Sequence, residues 1–289
     1  MSVHILVETG WLQDHLNDPD LRVLDCTVFL RPIEGGVRPE SGRAAWEQGH
    51  IPRAGFADLL ADLSDRNTHL PMMMPPAEQF AEAMSRYGVG DEHRVVLYDA
   101  GMNTWAARLW WMLRALGFER AAVLDGGWQK WKLEGRPVVA GAETSYPPAR
   151  FTPRPQLTRM VDKQAVCAAM SDARTRIVNA LSADEHAGRV TRVARPGHIP
   201  NSVNVPAGSL VDPSTHAYLS PEQLRLRFAE AGALDRSRAI TYCGGGIAAC
   251  SDALALTLLG VNDVAVYDGS LVEWSADPTL PLEVDTTNG

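Results

Sequence analysis

The sequence predicts an α/β fold made of two copies of one unit, each a mostly parallel sheet flanked by helices. Three observations lead there. Landmarks recur in one order: Gly49-His50-Ile51-Pro52 returns as Gly197-His198-Ile199-Pro200, a shift of 148 residues. Val95–Asp99 returns as Ala239–Cys243, shifted by 144 with Tyr98 over Tyr242. Leu116-Gly117, Asp125-Gly126 and Trp131 then return as Leu259-Gly260, Asp268-Gly269 and Trp274, each shifted by 143. Strand-like apolar runs also alternate with helix-periodic stretches, the pattern of βα units. Finally, 289 residues is about twice the ~150 residues that one domain usually takes.

Taken in order, the first unit carries strands over 21–25, 95–98 and 121–124. A helix over 104–116 lies between the last two, and Gly117 stands where a helix C-terminus favours glycine. On that helix Trp110 and Trp111 read as core and Trp105 as exposed beside the loop. Five prolines between Pro137 and Pro155 exclude a helix interior and read as an extended linker. In the second unit the strands fall over 176–179, 239–242 and 264–267, with a helix over 248–259. The expected division is 1–137, a linker over 138–157, and 158–289.

Composition removes several classes of function. Apolar residues are 45% and charged residues 21%, ordinary for a globular chain whose core needs no staple. The 35 acidic residues against 27 basic ones give a net charge of −8, which argues against nucleic acid as a partner. No apolar run approaches the ~18 residues of a membrane span. The first residues lack a basic region followed by an apolar one, so export is not expected. Four cysteines, Cys26, Cys167, Cys243 and Cys250, form no Cys-x-x-Cys pair. That disfavours a zinc ribbon or a redox dithiol and suits a reducing, cytoplasmic setting.

The chemistry concentrates after the strand over 239–242. Cys243-Gly244-Gly245-Gly246-Ile247-Ala248 reads as a glycine-rich turn between that strand and a helix. In parallel sheets, sites lie beyond the carboxyl ends of the strands. Helix N-termini present unpaired N–H groups and favour negative charge, so a thiol there should react as thiolate. Three glycines let the backbone curl into an anion nest around the sulfur. A nucleotide phosphate loop is excluded because no Gly-Lys-Ser/Thr follows. A cysteine phosphatase needs an arginine six residues after the cysteine, and Ala249 stands there.

The tandem units, both Gly-His-Ile-Pro motifs, Asp125-Gly-Gly-Trp128, Asp268-Gly-Ser-Leu-Val-Glu-Trp274 and the loop opened by Cys243 resemble the two-domain rhodanese family. That family comprises the thiosulfate and 3-mercaptopyruvate sulfurtransferases, and the resemblance covers roughly Val7 to Leu282. It implies two rhodanese-like α/β domains, the first inactive and the second catalytic. Asp99 occupies the place of Cys243 in the first, and a carboxylate cannot accept sulfane sulfur. The implied reaction takes sulfur from a small anionic donor onto Cys243 and passes the persulfide to cyanide or a thiol, with no metal or cofactor. The backbone of Gly244, Gly245, Gly246, Ile247 and Ala248 would hold the anionic sulfur. Two alternatives are a non-catalytic persulfide- or anion-binding module and a sulfur relay to a protein partner.

Within that family, thiosulfate enzymes carry Cys-Arg-Lys-Gly-Val-Thr and mercaptopyruvate enzymes Cys-Gly-Ser-Gly-Val-Thr. Cys-Gly-Gly-Gly-Ile-Ala is nearer the second but lacks its serine and threonine at Gly245 and Ala248. A carboxylate or sulfonate donor still needs a cation, and arginine pairs with either group in bidentate fashion. Arg189 resembles the first donor-binding arginine of mercaptopyruvate enzymes. Counting back from Gly197-His198 favours Arg195 over Arg192 for the second. His50 and His198 recur in both units and read as structural, and Asp125 and Asp268 as turn holders. Asp58, Asp62 and His69 lie where the resemblance brings first-domain polar residues to the site. Cys250 reads as a buried helix thiol about two turns, ~10 Å, beyond Cys243.

Overall fold

Short aliphatic runs such as Arg-Val-Val-Leu-Tyr and Arg-Ala-Ile-Thr-Tyr form strands buried on both faces, as parallel strands covered by helices must be. The structure, a computed structural model, describes residues 4–33, 36–141 and 146–285. In the first half the elements are β1 (Leu6–Val7), α1 (Thr9–His15), β2 (Leu21–Asp25), β3 (Val28–Ile33) and β4 (Gly36–Ser41). There follow α2 (Arg43–Gln48), β5 (Ala54–Phe56), α3 (Ala77–Arg86), β6 (Arg94–Tyr98), α4 (Thr104–Ala115), β7 (Ala121–Leu124) and α5 (Gly127–Leu133). The second half runs β8 (Met160–Val161), α6 (Lys163–Ala169), β9 (Thr175–Asn179), α7 (Ala183–His186) and β10 (Ser202–Asn204). It ends with α8 (Pro221–Glu230), β11 (Arg238–Tyr242), α9 (Ala248–Leu258), β12 (Asp263–Tyr267) and α10 (Ser270–Ala276).

The repeat is visible in the topology. One sheet has the order β1-β7-β6-β2-β5 and the other β8-β12-β11-β9-β10, every pair parallel. β6 and β11 are therefore the central strands, and the α/β expectation is borne out. The first half adds an antiparallel hairpin, β3 with β4, that has no counterpart among the described residues of the second. β3 is largely exposed and β4 largely half-buried, so their apolar alternation carries little sequence signal.

Each core is closed in the same way. Tyr98 and Tyr242 end the central strands fully buried, and their hydroxyls accept from the amides of Ile51 (3.4 Å) and Ile199 (3.0 Å). Trp131 and Trp274 anchor the corresponding clusters. His50 Nδ1 donates to the carbonyl of Trp46 and His198 Nδ1 to that of His186, each ring stacked on its partner. Trp105 is buried, which corrects the expectation that it is exposed at the loop.

The chain divides into two compact units, and the division is not contiguous. Unit 1 comprises Met1–Asn67, Met74–Gln156 and Val211–Tyr218; unit 2 comprises Thr68–Met73, Leu157–Leu210 and Leu219–Gly289. The proline-rich stretch is extended but not free. The Phe151 ring packs at a tilt against Phe80 and Phe118, and the amides of Thr152, Arg154 and Gln156 donate to Asp91, Leu116 and Ala115. Residues 142–145 of the expected linker lie outside the described residues. No helix among the described residues is long and apolar enough to cross a membrane.

Candidate active site

Cys243 follows the central strand β11 and is 3% exposed. Its loop is held from below by the start of α10. The amides of Leu271 and Val272 donate to the carbonyls of Cys243 (3.0 Å) and Gly244 (2.8 Å). The amide of Cys243 donates to Ser270 Oγ, whose hydroxyl donates to the carbonyl of Tyr267. Ser270 stands at φ +47, a region costly for a side-chain-bearing residue, and these bonds hold it there.

The loop itself is left open. Gly244 and Gly245 are half-buried, and a Cβ built on either meets no atom within 4 Å. Gly246 is different: φ +78 places it in the left-handed region and requires glycine. Ile247 caps α9 and Ala248 is its first residue. The amides of Gly244, Gly245, Ile247, Ala248 and Ala249 donate to no acceptor among the described residues. Thr241 Oγ1 donates to the carbonyl of Ala249, tying the helix start back to the strand.

Unit 1 contains the same construction with an occupant. Asp99 follows the central strand β6, and the amide of Trp128 donates to its carbonyl at 3.0 Å, as Leu271 does to Cys243. The Asp99 carboxyl accepts four backbone amides. Gly101 (2.7 Å) and Asn103 (3.2 Å) bind Oδ1, and Trp105 and Ala106 (both 2.9 Å) bind Oδ2. Burial pushes the Asp99 carboxyl above the usual carboxylate range, and the four amides oppose that shift. By the shift of 144, the amides of Gly101, Asn103 and Trp105 correspond to those of Gly245, Ile247 and Ala249.

The arginines separate. The interval from the stacked residue to the histidine is 4 residues in unit 1 and 12 in unit 2, and the longer loop carries Arg189, Arg192 and Arg195. Arg189 is exposed and ion-paired with Asp184 through Nε (2.8 Å) and Nη2 (2.7 Å). Arg192 lies 3.7 Å from Glu185. Arg195 is tied to a helix end. Its guanidinium donates to the carbonyls of Trp274, Ser275, Asp277 and Leu280, closing the C-terminal end of α10. The N-terminal end of that helix meets the Cys243 loop, about 10 Å of helix rise away. Counting along the sequence located the cation but not the four carbonyls that claim it.

Other residues also gain partners. Asp125 accepts from the amide of Tyr218 rather than holding its own turn. Cys250 is fully buried, yet its thiol reaches the Gly246 carbonyl at 3.1 Å. α9 begins at Ala248, so Cys250 stands in its first turn rather than two turns on. Asp252 is buried with both carboxyl oxygens unpartnered among the described residues, and burial alone drives its pKa well up.

One signal in the sequence went unread. Asp65-Arg-Asn-Thr-His69 returns as Asp212-Pro-Ser-Thr-His216, a shift of 147. In both copies the aspartate Oδ1 accepts the amide two residues on at 2.8 Å. His216 reaches the Asp99 loop of unit 1, its Nδ1 donating to the carbonyl of Gly101 at 2.7 Å while Asn103 Nδ2 donates to its own carbonyl. His69 lies in Thr68–Met73, the segment that belongs to unit 2.

Comparison with known proteins agrees with this geometry. The model of the rhodanese-like domain matches residues 8–134 and again 162–277. The chain is 33% identical to thiosulfate/3-mercaptopyruvate sulfurtransferase 1 of Arabidopsis thaliana, over 96% of this chain and 78% of that protein. It is 32% identical to the 3-mercaptopyruvate sulfurtransferase of Escherichia coli K12, over 98% of this chain and 99% of the relative. The crystal structure of SseA from Escherichia coli, described as a 3-mercaptopyruvate sulfotransferase with the rhodanese fold, superposes with a TM-score of 0.83 at 31% identity. It covers 93% of this chain and 99% of its own. Two rhodanese-like domains in tandem, matched over nearly their full length by such relatives, make this chain a member of the rhodanese family and an enzyme of the sulfurtransferase class.

Proposed function

We propose that Cys243 carries sulfane sulfur as a persulfide between a small anionic donor and a thiophilic acceptor. The observation that carries this reading is the set of unpartnered loop amides around the strand end. Their counterparts in unit 1 hold the carboxyl of Asp99. The loop of unit 2 has the same order of amides and no carboxyl bound to them among the described residues, so it suits a charge that comes and goes on sulfur.

The steps balance without a redox partner. The Cys243 thiolate attacks the outer sulfur of the donor, forming a sulfur–sulfur bond. With mercaptopyruvate the carbon–sulfur bond breaks and its electron pair leaves on the pyruvate enolate, which takes up a proton. With thiosulfate the sulfur–sulfur bond breaks and sulfite leaves. Cyanide or a thiolate then attacks the outer sulfur of the persulfide and returns the Cys243 thiolate.

Mercaptopyruvate is the favoured donor, because the loop lacks cationic side chains and full-length relatives bear that name. Arg189 is proposed to leave Asp184 and pair with the donor carboxylate; Arg195 is proposed only as a structural tie. His69 is proposed to face the Cys243 loop as His216 faces the Asp99 loop, and to supply the proton that the enolate takes up. The four cysteines are free thiols, the state that a cytoplasmic, reducing compartment maintains.

Mass spectrometry tests the reading. Incubation with mercaptopyruvate or thiosulfate should add one sulfur to Cys243 and none to Cys243→Ser. Failure to gain sulfur from either donor would overturn it. Arg189→Ala should raise the KM for the donor about tenfold with little change in kcat. An unchanged KM would remove Arg189 from donor binding.

A further inference from the structure

We infer that Cys250 is a positioning residue, one that aims the amides of the Cys243 loop through two peptide planes. Its thiol donates to the carbonyl of Gly246 at 3.1 Å, and its backbone amide donates to the carbonyl of Ile247 at 3.0 Å. A trans peptide carries its C=O and N–H in opposite directions. Holding the Gly246 carbonyl against the helix therefore turns the Ile247 N–H away from it. Holding the Ile247 carbonyl does the same for the Ala248 N–H. These are two of the amides without a partner among the described residues.

The anchor is needed because of where the turn bends. In unit 1 the left-handed residue is Asn103 (φ +63), and the ring amides close on the Asp99 carboxyl from within. In unit 2 the bend falls one position earlier, at Gly246 (φ +78). Glycine itself restricts the backbone least, and no carboxyl gathers the amides among the described residues. The residue of unit 1 that corresponds to Cys250 is Ala106, which has no side-chain donor. Cys250 thus supplies from the helix side the constraint that Asp99 supplies from the strand side.

The kinetic consequence rests on Cys243 being the sulfur carrier; the geometry does not. The test therefore separates the two. Iodoacetate and iodoacetamide alkylate the same sulfur, but only iodoacetate is anionic. The ratio of their rates at Cys243, read by peptide mass spectrometry, reports how well the loop amides receive a negative charge. Cys250→Ala should lower that ratio about fivefold, the size expected of a misdirected amide. Cys250→Ser keeps a donor and should restore the ratio to within about twofold of the original. Sulfur loading from mercaptopyruvate should fall and recover in parallel. An unchanged ratio in Cys250→Ala overturns the inference, and so does an equal loss in both variants, which would mark a packing role. If the ratio falls and recovers while the unaltered protein loads no sulfur, the positioning role stands and the sulfur-carrier reading fails.

Discussion

Replacing Asp99 with asparagine tests the amide ring without any sulfur chemistry. Each carboxyl oxygen of Asp99 accepts two backbone amides at 2.7–3.2 Å, and the residue is fully buried. Asparagine keeps the shape but puts an NH2 group where one oxygen stood. Whichever way the amide is turned, two backbone N–H groups then face donors. A buried donor left unpaired costs about 1–3 kcal/mol, so two cost about 2–6 kcal/mol. Burial disfavours the charged carboxylate, and asparagine relieves that opposing cost. A net loss of about 2 kcal/mol follows. Seven of the eight tryptophans lie before residue 138, so tryptophan fluorescence in a urea titration follows the perturbed unit. The midpoint should fall by about 1 M with an unchanged slope. A midpoint equal to that of the unaltered protein would mean that the amides are not a directed ring. The internal precedent for an anion at Cys243 would then be lost.

Four further outcomes follow from particular residues. Gly245→Ser has open space at its Cβ; it should melt as the unaltered protein does and raise the preference for mercaptopyruvate over thiosulfate about tenfold in kcat/KM. Gly246→Ala, at φ +78, should instead cost about 1–2 kcal/mol and slow sulfur loading; equal behaviour of the two variants would contradict the loop geometry. Burial holds the Asp25 carboxyl at about 7 against 3.8, so the folded chain binds a proton that the unfolded chain releases. That stabilisation is complete below pH 3.8 and lost as the pH rises through 7. Asp25→Asn, the residue found at the equivalent strand end Asn179, should raise the Tm at pH 8 and leave it unchanged near pH 4, by calorimetry. His186 has the opposite sign: burial and His198 lower it from 6.5 to about 4, so stability falls as the pH drops through that interval. His186→Phe should flatten that acid-side loss, and an unchanged slope between pH 6.5 and 4 would contradict the assignment.

What the sequence revealed and what it hid divide along a physical line. Strands buried on both faces are written as aliphatic runs, so the six strands read from the sequence lie within those of the structure to a residue or so. The exposed hairpin Val28–Ile33 with Gly36–Ser41 has no such constraint and passed unnoticed. Arg195 was recognisable as a cation, but hydrogen-bond acceptors are backbone atoms that every residue carries. Helix rise puts Cys250 about two turns beyond Cys243, but residues 243–247 are a loop, as the glycines suggest, and the helix starts at Ala248. The attachment of Val211–Tyr218 to unit 1 depends on tertiary docking that local pattern does not encode, although the repeated Asp-x-x-Thr-His left a trace of it.

The two strand ends explain why one repeat yields two different loops. In both, an amide from the helix after the next strand fixes the carbonyl of the residue at issue, Trp128 on Asp99 and Leu271 on Cys243. What differs is the atom presented upward. A carboxyl satisfies the amides permanently, and the resulting ring needs no outside charge, so unit 1 gains stability. A thiol is too poor an acceptor to do the same, so the amides of unit 2 have no protein acceptor among the described residues, and under the proposed reaction they would receive a charged sulfur. An unsatisfied ring is destabilising in the resting protein. It is tolerable here because Gly244, Gly245, Ile247 and Ala248 are only half-buried and water can reach them. The same exposure would let a small anion displace that water, and under the proposed reaction the local cost of the open loop becomes the source of its affinity for the donor.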